Sequence, residues 1–332
     1  MASHSTRRGT AKIRSGYTGE SIREAQAGIP RNKALHGLDT CTPEQQALRA
    51  LLAIAVFNAD GLGAPPRDWG IHVIRVYTLH MSARFNDLHV ATDCPWNVSR
   101  RINTPRADSA YRIPGLRTLC HRFDHTTLRH LPTRASLLVR FNHEEGSRLV
   151  CGRPCPDSDL DDDMLPVDHP MGPQEISELA AVPPMSPAAQ TLLAALLVRM
   201  TLQAPDGTWA TAGWHHPPRH IPNAFPNQNE MGKALWGAND HWSLRWYGFP
   251  NPEFVATALT DPMIGLAGAT VEEADNDFVV SYRSAQLRLV EHNRHMLGST
   301  PAVLQVLERQ ERQSWSGTRR PRSEPPVDTT ES

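Results

Sequence analysis

Apolar residues recur with a helical period near residue 50. Leu48, Leu51, Leu52, Ala55 and Val56 stand at i, i+3, i+4, i+7 and i+8, and Ala50, Ile54 and Phe57 fill the other side. The pattern predicts a helix over 43–58 that is buried nearly all round. Thr42 is a good N-cap and Pro43 suits the first helical position. Ser186-Pro187 opens a second helix, 187–203, with Leu193, Leu196, Leu197 and Met200 as its stripe. Ser21 with Glu24 forms a capping box for a short helix over 20–28, ended by Gly28 and Pro30. Ser284–Leu297 and a segment from Thr300-Pro301 to about Arg312 read as C-terminal helices.

Runs rich in β-branched and aromatic residues predict strands at Ile71–Tyr77, Phe85–Thr92, Leu137–Phe141, Arg148–Cys151, Trp242–Tyr247 and Asp277–Tyr282. Residues 142–147 suit a hairpin turn between the third and fourth of these. The fold class is therefore α+β, with mixed helices, short antiparallel strands and hairpins.

One internal similarity suggests two similar α+β halves. Thr42-Pro43-x-x-Gln46-x-Leu48-x-Ala50-x-Leu52 matches Ser186-Pro187-x-x-Gln190-x-Leu192-x-Ala194-x-Leu196 without a gap, about 144 residues on. Shared helix-start chemistry is the plainer explanation, since Thr300-Pro301 opens a third helix the same way. The chain divides into a basic N-terminal arm with a short helix (1–40) and a first α+β domain (41–155). An acidic, Pro-rich linker or loop (156–185), a second α+β region with C-terminal helices (186–312) and a disordered tail (313–332) follow.

Composition narrows the class. The chain has 332 residues, 39% of them hydrophobic, a net charge of −1 and 28 prolines. Disorder throughout would want lower hydrophobicity with higher net charge. The longest apolar run, Ala50–Phe57, is far short of the roughly 20 residues a membrane span needs. Five scattered cysteines and no leading apolar run point to a reducing, cytoplasmic setting. Only Lys12, Lys33 and Lys233 among the 34 basic residues are lysine, a skew expected of a GC-rich bacterial genome. The acid-free, Arg-rich start also has the composition of an organelle transit peptide.

Charge is segregated along the chain. Between Val98 and Arg134 lie Arg100, Arg101, Arg106, Arg112, Arg117, Arg122, Arg129 and Arg134 against Asp108 and Asp124 only. Guanidinium groups interleaved with Tyr111 and Phe123 are the footprint of a nucleic-acid or polyanion partner. Residues 144–178 hold ten acids against Arg148 and Arg153, and so can neutralise the basic stretch by folding back on it.

Two further clusters have the residue types for a site. Cys151 and Cys155, with Cys120, His121 and His125 upstream, could complete a tetrahedral zinc centre if His121 and His125 shared a helix face. Trp214, His215, His216, His220 and His241 lie in a Trp-dense stretch with the makings of a ligand pocket. The acidic run 157–168 has calcium-loop spacing but lacks the turn glycine. No phosphate loop, dinucleotide fingerprint or nucleophile elbow occurs. The leading expectation is a non-enzymatic binding protein contacting nucleic acid or another polyanion. The alternatives are a zinc-dependent hydrolase or nuclease, and an assembly protein with a Trp-rich interface. Whether the chain is an enzyme and what its oligomeric state is stay open at this level.

Overall fold

Thr42 and Ser186 cap their helices alike. In the computed structural model the Thr42 hydroxyl accepts from the Gln45 N–H at 3.2 Å, and the Ser186 hydroxyl accepts from the Ala189 N–H at 3.0 Å. Each N–H is the third of its helix, the position an N-cap satisfies. The structure describes residues 4–30, 36–57, 78–92, 95–103, 113–122, 124–142, 164–212, 214, 234–246, 250–274 and 277–291. Seven helices and ten strands lie among them. Helices α1 (His4–Thr18), α2 (Ile22–Gly28) and α3 (Pro43–Phe57) come first, then β1 (Thr78–Ala83), β2 (Asp87–Thr92), α4 (Pro95–Asn103), β3 (Leu116–Arg122), β4 (His125–His130) and β5 (Ser136–Phe141). Next are α5 (Pro173–Ala180), α6 (Pro187–Val198), β6 (Ala234–Ala238), β7 (His241–Trp246), α7 (Pro252–Thr260), β8 (Ala269–Ala274), β9 (Asp277–Tyr282) and β10 (Ala285–Glu291).

The order α-β-β-α-β-β-β occurs twice, as α3 to β5 and as α6 to β10. The first sheet runs β1-β2-β5-β4-β3 and the second β6-β7-β10-β9-β8. In each, one central pair is parallel (β2 with β5, β7 with β10) and every other pair is antiparallel. The fold is thus α+β with two similar halves. Helices α4 and α7 take equivalent places, α4 on β3–β4–β5 and α7 on β8–β9–β10.

Helices α3 and α6 pack on each other as a common spine, and Gln46 Nε2 meets Thr191 Oγ1 between them at 2.9 Å. Each also touches a strand of the other half, α3 on β6 and α6 on β1. Leu48 to Phe57 and Leu192 to Val198 are buried along the spine. Leu88, Val90, Leu128, Leu137 and Val139 of the first sheet join the same core, as do Leu244, Val280, Leu287 and Leu289 of the second. Each such side chain is worth roughly 1.5–3 kcal/mol of burial. No described helix is long and apolar enough to cross a membrane.

Three expectations need correcting. Residues 285–291 form strand β10, where the sequence predicts a helix over Ser284–Leu297. Ala285, Leu287 and Leu289 are buried and alternate with exposed Gln286 and Arg288, a period of two. Pairing with β7 on one side and β9 on the other outweighs the helix propensity of Leu, Arg and Glu. Residues 164–185 are not a loose linker, since they include α5 and bridge Pro166 to Thr118 and Met185 to Asn239. The N-terminal arm holds α1 besides the expected capped helix α2, and both helices touch β1. Arg14, with no exposed surface, is the anchor. It bonds Glu20 at 2.6 and 2.8 Å and the carbonyls of His36 and Ala83. A Cβ on Gly28 would come within 2.3 Å of this guanidinium, so glycine lets α2 close on α1. The strands expected at 71–77 and 148–151, the helix from 300 and the tail from 313 lie outside the described residues.

Candidate functional site

Strand alternation sorts the Arg-rich stretch. In β4, Thr126, Leu128 and His130 are buried toward the core, and His125, Thr127 and Arg129 turn to the outer face. Register places Arg122 opposite His125, His125 opposite Arg140, Cys120 opposite Thr127 and Arg117 opposite Arg129. The outer face of β3–β4–β5 thus gathers Arg117, Arg122, His125, Arg129 and Arg140, and the three strands contain no acid.

Two of these arginines are committed to structure. Arg117 has no exposed surface and meets Glu175 of α5 with two nitrogens, at 2.9 and 2.7 Å. Arg140 pairs with Glu24 of α2. Burial opposes charge on Glu24, but the Ser21 N–H and Arg140 prevail and hold its carboxyl below the ordinary Glu value. Arg122 is exposed and Arg129 half-buried, and neither has an acidic partner among the described residues. Half-buried His125 bonds Asp124 at 2.8 Å, and exposed Arg134 stands at the β4–β5 turn with a φ of 59°.

The remaining predicted residues do not join this face. Arg100 lies on α4, whose Val98 and Ile102 pack into the core, and its guanidinium sits 5.3 Å from the Trp96 ring centroid. Arg101 is on the same helix. Arg106 and Arg112 lie outside the described residues.

The second sheet has the same topology and a different outer face. Arg245 lies over the Trp236 ring at 4.6 Å, and Arg288 Nε donates to Asp277 at 2.8 Å. Glu272 and Thr270 are exposed beside them. Its charges are mixed, whereas the acid-free strands β3, β4 and β5 of the first are cationic and the acid on the neighbouring β2, Asp87, lies 3.2 Å from His89.

The zinc set is not assembled as expected. His121 and His125 are on neighbouring strands of a hairpin, not on one helix face. His121 turns toward the core and bonds Thr126 at 2.8 Å, away from Cys120 and His125. Cys151 and Cys155 lie outside the described residues, among which no group of three or more His, Cys, Asp or Glu could hold a metal.

Trp214 belongs to the core. It is 1% exposed, packs edge-on against Phe57 at 4.8 Å and beside Trp246 at 5.5 Å, and donates from Nε1 to the Met200 carbonyl. Trp209, Trp242 and Trp246 are buried too, so these indoles are not surface available to an oligomer partner. His241 is exposed at the start of β7, and His215, His216 and His220 lie outside the described residues. A cavity of about 190 Å³ lies elsewhere, between His36–Thr40 and Thr260–Ala269. Burial lowers the pKa of His36 at its rim.

Beneath the cationic face, His130 is held neutral. It is 2% exposed, with Nδ1 near Thr133 Oγ1 and Nε2 near the Pro114 carbonyl. Burial, helped by nearby Arg117 and opposed by that carbonyl, lowers its pKa from 6.5 to about 4. The unfolded chain therefore binds the proton first on acidification. The stability this residue contributes is complete above pH 6.5 and is lost as pH falls from there to about 4. A loss of about 2 kcal/mol at pH 5 is expected. Urea unfolding at pH 7 and pH 5 should show a pH dependence that shrinks in His130→Asn. An unchanged dependence would put the titrating group elsewhere.

Comparison with protein-family models, with curated proteins and with solved structures finds no match.

Proposed function

We propose that this is a non-enzymatic binding protein that contacts nucleic acid or another polyanion through the outer face of its first sheet. The supporting observation is a contrast between two faces of one topology. Arg122 and Arg129 stand beside His125 on strands that contain no acid. The second sheet has no arginine on the corresponding strands β8 and β9, and its arginines on β7 and β10, Arg245 and Arg288, are engaged by Trp236 and Asp277. Guanidinium groups on a rigid sheet, without an acidic partner among the described residues, suit phosphate or sulfate oxygens, because two N–H groups meet two oxygens at once. The face is narrower than the Arg-rich stretch, since Arg117 and Arg140 are occupied. Nothing among the described residues favours a metal-dependent hydrolase.

The test is fluorescence anisotropy with a labelled single-stranded oligonucleotide over a range of salt. Affinity should fall steeply as salt rises. Arg122→Ala with Arg129→Ala should weaken binding and flatten the log–log salt slope by roughly 0.7 for each phosphate that the pair no longer neutralises. Arg245→Ala on the second sheet should leave both unchanged. Binding that ignores salt, or that responds equally to all three substitutions, would sink the proposal.

A further inference from the structure

The two halves differ at one edge. In the first sheet β3 is an outer strand, and the chain covers it. The Thr118 N–H donates to the Leu165 carbonyl at 2.7 Å, and Thr118 and Pro166 form a parallel bridge. Arg117 adds bonds to the carbonyls of His169 and Pro170 at 2.8 and 3.0 Å. In the second sheet β8 holds the corresponding place, at the end of the order β6-β7-β10-β9-β8. Its inner side pairs with β9, and no described strand or bridge lies along its outer side. Thr270, Val271, Glu272, Glu273 and Ala274 are all exposed, Val271 at 39%.

An open edge offers unpaired N–H and C=O groups to any extended chain. The side chains decide which chain fits. Val271 is opposite buried Val280 and so projects on the core side, leaving an apolar rim. Glu272 is on the outer face and Glu273 beside it on the core side, both in solvent. A second copy of β8 laid antiparallel and centred on Glu272 would set Glu272 against Glu272, which is destabilising. The same carboxylates favour cations across the strand.

We propose that β8 is a docking edge for an extended basic segment of another protein, which adds a sixth strand to the second sheet. The added strand places an apolar residue opposite Val271 and cations opposite Glu272 and Glu273. Backbone bonds supply the attachment, and the charges select the partner. The bridge at Thr118 is the same mode used within the chain.

The probe is a short synthetic peptide with two adjacent arginines followed by a valine, flanked by threonines. It should bind the full chain in fluorescence anisotropy. Glu272→Lys with Glu273→Lys, both at exposed positions, should weaken it by about tenfold or more, the sum of two reversed cross-strand pairs. Methylating alternate backbone nitrogens of the peptide keeps its charge and removes its donors, and should cost at least as much. Equal binding by the methylated peptide would mean charge attraction alone and would overturn the added strand. So would unchanged affinity in the charge-reversed variant. Self-association that competes with the peptide, seen as a dimer mass in sedimentation, would assign the edge to a second copy instead.

Discussion

Glu175→Ala is expected to lower the unfolding free energy by about 3–5 kcal/mol, because it strands a buried guanidinium. Arg117 has no exposed surface, and Glu175 is 4% exposed. The Glu175 carboxylate also accepts from the N–H groups of Gly115 and Gly172, at 2.9 and 3.0 Å, and so fixes α5 against the end of β3. Burial opposes charge on Glu175, but Arg117 and these two N–H groups prevail and bring its pKa from 4.5 down to about 2. A carboxyl with a depressed folded value stabilises above its unfolded value. Its contribution is complete above about pH 4.5 and fades as pH falls toward 2, with about 2 kcal/mol gone at pH 3. Urea unfolding of Glu175→Ala, Arg117→Met and the double variant makes the decisive cycle. The double variant should lose less than the sum of the singles, since removing both charges leaves none unpaired. Additive losses would show that the two side chains do not act as a pair.

The second large effect is at Trp214. Its ring lies between Phe57, the last residue of α3, and Trp246, the last residue of β7, and so joins the first half's spine helix to the second sheet. Trp214→Ala should cost about 3–5 kcal/mol through reduced burial and the cavity left behind. Trp214→Phe keeps a ring but strands the Met200 carbonyl that Nε1 satisfies, and should cost less, about 1–3 kcal/mol. Chemical denaturation of both variants gives the comparison. A loss below about 1 kcal/mol for the alanine variant would mean that the junction closes without this ring.

Part of the architecture is legible in the sequence, where its signals are local. The caps at Thr42, Ser186 and Ser21 depend on residues within three positions, and each forms as expected. The match between the two Thr/Ser-Pro helices falls on the first helix of each similar half, although shared helix-start chemistry explains it as well. Strand β10 escapes because Leu, Arg, Val and Glu satisfy a helical period as easily as a strand's, and only its neighbours β7 and β9 decide between them. The candidate face is half visible. The density of arginine between 98 and 134 stands out, but which of them are spent does not. Glu175 is 58 residues from Arg117 in the chain, and Glu24 is 116 from Arg140, so neither pairing leaves a trace in local spacing. The alternation His125, Thr127, Arg129 against Thr126, Leu128, His130 is a usable sign of β4. It is muted by histidine on both faces, one partly exposed and one buried neutral.

The spine of α3 and α6 has a consequence for how such a chain can change over time. Each helix is walled partly by a strand from the other repeat, so a substitution there must suit both copies at once, and the interior is held nearly fixed. The outer sheet faces and outermost strands carry no such mutual obligation. One copy is free to gather cations while the other keeps a neutral mixture, and one border is free to be sealed from within while the other stays open to outsiders. Two similar halves built this way share one frame and leave two surfaces at liberty to specialise.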